Sequence, residues 1–154
     1  MNNKKIFAIA ALAIIAIVAV GSVSAFDLNF FGGDDKQTTT LGGIEFNIPE
    51  GYEIVDNYTI VNETLHDGDD EYIVNSQYYE NDDGDSLELY TSDYQDDMED
   101  YILKILTKGD EKTINGRKGY INSEDGFTMF SFVDDGNLGF VTVSDESILE
   151  EVVK

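Results

Sequence analysis

The sequence predicts an α+β fold: an antiparallel β-sheet built from hairpins, packed against an amphipathic helix over about 94–107 and a C-terminal helix over about 145–153. Three observations predict it. Short runs of alternating apolar and polar residues are separated by Asn-Gly and Asp-Gly pairs, the strongest local signal for hairpins. One segment switches to a helical period. Hairpins accompanied by only two helices suit a sheet with helices laid on it.

The chain divides into 1–25, 26–42 and 43–154. Lys4 and Lys5 precede an unbroken apolar run over 6–20, and Val23 and Ala25 stand at the −3 and −1 positions of a small-residue cleavage site. That is the pattern of a secretory signal peptide, cleaved after Ala25. The apolar stretch continues to Phe26 with only Gly21, Ser22 and Ser24 as weak interruptions, so single-pass anchoring through 6–26 is the alternative. Either way the lysines stay inside and the C-terminal domain lies outside. Residues 26–42, polar and without periodicity, read as a tether.

The folded domain opens with Ile44, Phe46 and Ile48 alternating with Glu45 and Asn47, a half-buried strand. Pro49-Glu50-Gly51 turns the chain. Strands follow over 58–65 and 72–79, and Asn81-Asp82-Asp83-Gly84-Asp85 returns the chain into a strand carrying Leu87 and Leu89. Tyr94, Met98, Tyr101, Ile102, Ile105 and Leu106 then follow helical spacing. Ser92 and Gln95 have capping-box spacing, Lys104 and Lys108 suit the C-terminal dipole, and Gly109 ends the helix. Two hairpins turn at Asn115-Gly116 and Asp135-Gly136. In the second, Phe130 and Phe132 point one way and Phe127, Met129 and Val133 the other, as in a strand covered on both faces. Ser144 caps a last helix with Ile148, Leu149, Val152 and Val153 inward.

Composition excludes more than it assigns. The formal net charge of −23 rules against nucleic-acid binding, which needs Lys and Arg to displace phosphate counterions, and against anionic lipid headgroups. Cations, basic proteins and neutral polymers such as surface polysaccharide remain as counterparts. With no cysteine, thiol catalysis, thiolate metal sites and disulfide staples are all absent.

No motif assigns a catalytic, cofactor or metal residue, and no cofactor is called for. Placing Gly68, Gly84 or Gly136 at the sixth position of an EF-hand loop puts Leu65, Tyr79 or Ser131 where a calcium ligand belongs. The acidic runs Asp67-Gly68-Asp69-Asp70-Glu71 and Asp82-Asp83-Gly84-Asp85 are left as weak cation candidates or solvated turns. His66 is the only histidine, and there is no nucleophile elbow or phosphate-binding glycine loop. Tyr72, Tyr78, Tyr79, Tyr90 and Tyr94, set among Asp and Asn, suggest either a sugar-stacking surface or a core edge with wet hydroxyls. Asn57-Tyr58-Thr59 and Asn62-Glu63-Thr64 are N-glycosylation sequons on one segment, which would mark an exposed edge.

The stretch Gly43-Ile44-Glu45-Phe46-Asn47-Ile48-Pro49-Glu50-Gly51-Tyr52, together with Ile114-Asn115-Gly116-Arg117-Lys118-Gly119-Tyr120, resembles small exported domains of methanogenic archaea that carry a G-x-x-F-x-I-P-x-G-Y/F signature. The likeness covers most of 43–153, rests on strand and turn motifs, and implies no catalytic residue. A strand ending in I-P-x-G-Y/F is also similar to the opening of PsbP/Mog1-type α+β domains, which implies a role in binding or assembly. The sequence thus leads to an exported, acidic, non-catalytic domain acting at the cell surface through protein or envelope interactions. A cation-dependent or carbohydrate-binding module is the alternative, with an acid-residue hydrolase after it.

Overall fold

A computed structural model describes residues 37–67, 70–94 and 100–154. It corrects the fold class. The described chain is mostly antiparallel strand in a β-sandwich-like arrangement, with one short helix and a terminal single turn in place of two packed helices.

The strands are β1 (Gln37–Leu41), β2 (Ile44–Ile48), β3 (Glu53–Ile54), β4 (Ile60–Asp67), β5 (Asp70–Glu80), β6 (Ser86–Tyr94), β7 (Asp110–Ile114), β8 (Arg117–Glu124), β9 (Phe127–Asp134) and β10 (Asn137–Val143). One helix, α1, spans Asp100–Thr107, and a single turn, α2, spans Leu149–Val152. Eight strands form one sheet in the order β3-β5-β6-β10-β9-β8-β7, with β4 beside β3 on the outer edge of β5. The β1–β2 hairpin is a separate small layer.

Two cores result. On the hairpin face, Leu41, Ile44, Phe46 and Ile48 pack with Leu87, Leu89, Phe130, Phe132, Val141 and Val143, joined by Leu149, Val152 and Val153. Polar groups pin the layers together. The hydroxyls of Thr39 and Tyr79 both donate to Gln77 Oε1, at 2.9 and 2.6 Å. Burial pushes the Tyr79 phenol up to about 12. On the opposite, helix face, Leu103 of α1 is fully buried with Tyr72, Val74, Tyr90, Tyr120, Leu138 and Phe140.

The hairpin turns at Asn115-Gly116 and Asp135-Gly136 fold as expected, with positive φ at both residues of each pair. Asp125-Gly126 makes a third turn of this type. Phe130 and Phe132 face the hairpin while Met129 and Val133 face the helix, as the alternation requires.

Four readings need correction. Residues 37–41, taken as the end of the tether, form β1, because three consecutive β-branched threonines pair across to β2. Tyr94 does not begin a helix; it ends β6 and stacks on its cross-strand partner Tyr72, rings 4.9 Å apart. Ser92 lies in the same strand, and Gln95 and Met98 lie outside the described residues. Gly109 follows Lys108, which itself takes the left-handed conformation (φ 50°) that ends α1. A glycine is needed there because a Cβ would strike the Ile121 backbone carbonyl. At the other end, the expected helix over 145–153 shortens to a 3-10 turn, Glu146–Ile148, and the one turn of α2. Its cap is Asp145, accepting the Ser147 N–H at 2.9 Å, rather than Ser144. Val153 is drawn into a β-bridge with Phe46, and Asn115 Nδ2 donates to the carbonyls of Glu150 and Val153; both stop further winding.

Among the described residues no helix is long and apolar enough to cross a membrane. The 6–26 segment lies outside them.

Candidate functional site

Among the described residues, the helix face of the large sheet is covered only in part. Register makes this visible as transverse rows of side chains. Ser76, Tyr90, Phe140, Ser131 and Tyr120 are consecutive cross-strand partners, and all five are buried. The next row runs Tyr78, Glu88, Thr142, Met129 and Asn122, and every member is only half-buried. Since α1 packs on β8 and β9, the second row is where its cover stops. Asn122 Nδ2 donates to the Thr107 carbonyl at the end of α1 at 3.3 Å, marking that border.

This open strip is the candidate site. Strand alternation adds Glu80, Phe127 and Glu124 at its rim, all exposed. The Asp56–Tyr58 turn brings Tyr58 over one end, where its ring meets that of Tyr78 edge-on at 5.6 Å. Tyr58 is 43% exposed and Phe127 48%. The strip therefore offers aromatic surface at both ends with carboxylates between.

Its electrostatics follow from partial burial. Burial raises the Glu88 carboxyl above the ordinary range, and the Ser76 hydroxyl at 3.4 Å only partly offsets this. Burial also raises the Tyr78 phenol, which donates to Glu80 Oε1 at 3.0 Å. Such groups can accept hydroxyl or amide donors while the rings stack on an apolar face.

Tyr72, Tyr79 and Tyr90 are buried, and Tyr79 lies on the opposite face of the sheet. Of the tyrosines singled out from the sequence, Tyr78 alone joins the strip. Glu88, Thr142, Met129 and Asn122 were not foreseen. Each is a polar or flexible residue at an alternate strand position, and polar residues such as Ser76, Ser92 and Ser131 stand at other positions of the same face, so sequence alone does not single them out.

The acidic turn Asp82-Asp83-Gly84-Asp85 is held from within: Asn81 Oδ1 accepts the N–H groups of Asp83 and Asp85, at 3.0 and 2.8 Å. Asp67-Gly68-Asp69-Asp70 lies partly outside the described residues. Among those described, no three carboxylate or imidazole groups gather as a metal-binding set. His66 is exposed on β4, its Nδ1 3.9 Å from Glu71. A cleft of about 410 Å³ beside β7 and β8 is lined, among the described residues, by Glu111, Thr113, Lys118 and Tyr120, with no exposed ring platform. No family model, curated protein or solved structure matches the chain.

Proposed function

We propose that this is an exported, non-catalytic binding domain that engages a cell-envelope partner through the open strip of its large sheet. One observation carries the reading: next to a row of five buried side chains, the same five strands each leave one side chain partly exposed along a single row. A sheet that needed only a core would close that row under its helix. Export is supported by Lys4, Lys5 and the apolar run over 6–20. Binding is favoured over proton transfer because, among the described residues, Glu88 sits beside Ser76, Tyr78 and Thr142 rather than beside a histidine or a cation.

A second reading names the partner as a neutral polysaccharide. Tyr58 and Tyr78, flanked by Glu80 and Glu88, suit it: rings stack on sugar faces and carboxylates accept hydroxyls.

The test immobilises the full chain and measures retention of solubilised native envelope, separated into protein and polysaccharide fractions. Tyr58→Ala with Tyr78→Ala should weaken retention at least about tenfold, the loss expected when an anchoring ring is removed. Glu50→Gln, at an exposed turn outside the row, should leave it unchanged. Equal retention by all three proteins would sink the proposal.

A further inference from the structure

We propose that Asn57 and Asn62 are acceptor sites for N-linked glycans, clustered on one edge of the large sheet. The inference rests on the export reading, because sequons are read outside the membrane.

The fold places both asparagines where a glycan fits. Asn57 lies in the Asp56–Tyr58 turn between β3 and β4, and both of those strands line the outer edge of β5. Asn62 lies in β4 itself, at the register break between Ile60 and Glu63. Both are exposed, and neither side-chain amide has a hydrogen-bond partner among the described residues. Asn62 takes a left-handed backbone (φ 48°), and its N–H donates to Oδ1 of the buried Asn75 at 2.8 Å. That conformation favours Asn for backbone reasons alone. It does not account for Thr64 two residues later, which is exposed.

Thr59 supplies the stronger argument. Its Oγ1 is buried and makes no hydrogen bond. A buried hydroxyl without a partner costs the fold free energy, and valine has the same shape without that cost. Thr91 shares the condition inside β6, but it completes no Asn-x-Thr sequon. A hydroxyl that the folded domain does not use is one that a glycosyltransferase reads before the strand closes over it.

In the modification, the Asn side-chain nitrogen bonds to the anomeric carbon of a lipid-linked glycosyl phosphate. The carbon–oxygen bond to phosphate breaks, the phosphate leaves with the electron pair, and one amide proton passes to base. Sugars at 57 and 62 would shield an edge to which, among the described residues, no strand pairs beyond β4.

The experiment expresses the full chain in its native host and fractionates the cells. Peptides spanning 53–66 from the exported fraction are then weighed and sequenced by mass spectrometry. Wild type should carry a sugar mass on both asparagines. Thr59→Val should lose it from Asn57 only, with a melting temperature no lower than wild type, and Thr59→Ser should retain it. Exported wild type with both asparagines unmodified, or Thr59→Val still modified at Asn57, would overturn the inference while leaving export standing. A chain confined to the cytosol would instead overturn the export reading beneath it.

Discussion

Glu88 shows how a single residue reports on the strip. A carboxyl held up by burial keeps its proton more tightly folded than unfolded. The associated stability is fully present below the ordinary value of 4.5 and declines as pH rises through the raised value. Glu88→Gln removes that dependence. At pH 7 the variant should melt above wild type, because it carries no buried carboxyl to ionise. Well below pH 4.5 the two melts should coincide. Thermal denaturation across pH checks both arms, and a lower Tm at pH 7 would mean that the ionised carboxylate has a stabilising partner. Asp145 runs the opposite way: the backbone N–H and then the hydroxyl of Ser147 hold its carboxyl down. Its contribution is present above the ordinary carboxylate range and is lost as pH falls. Neither residue stands out in a chain with 32 acids. What separates them is the row and the turn in which they sit, and only the register reveals those.

At the scale of elements, the turns were the most legible feature. Asp135 and Gly136 adopt φ of 48° and 83°, the paired left-handed geometry that two-residue hairpins require. A β-branched residue is strained there, so Gly136→Val should cost on the order of 1–3 kcal/mol. A denaturant melt that left the midpoint unchanged would show that β9 and β10 do not depend on this turn. Helices were read less well, for physical reasons. The period that begins at Tyr94 is shared between a strand end and a helix, and the Tyr72–Tyr94 stack claims the first residue for the sheet. The terminal segment has the apolar spacing of a helix, but Leu149, Val152 and Val153 are buried within two short turns and a bridge to Phe46. Periodicity identified the inward residues and could not say how long the winding would last. The threonines of β1 carry no apolar alternation, and they became a strand only through pairing with β2.

Across the whole molecule, the departure from α+β to a sandwich-like fold follows from the β1–β2 hairpin, which packs on one face of the large sheet together with the short C-terminal turns. The candidate strip was partly legible through Tyr78. Its other members come from four different strands, and no local pattern could have joined them. The strand order has a further consequence, in time rather than in space. β5 joins β6 through a short turn, and β7 through β10 run as one meander. The sheet closes where β6 meets β10, pairing Leu87 with Val143 and Ser92 with Leu138 across a long loop of chain. Local hairpins form with little loss of chain entropy, whereas this seam carries a large one. The two halves are therefore expected to assemble first and zip together last. Val141, fully buried on that seam between Leu89 and Phe130, is the place to observe it. Val141→Ala should destabilise by ~2 kcal/mol, felt almost wholly as faster unfolding with the folding rate nearly unmoved. Folding slowed in proportion would put the seam in the nucleus and reverse the order of assembly.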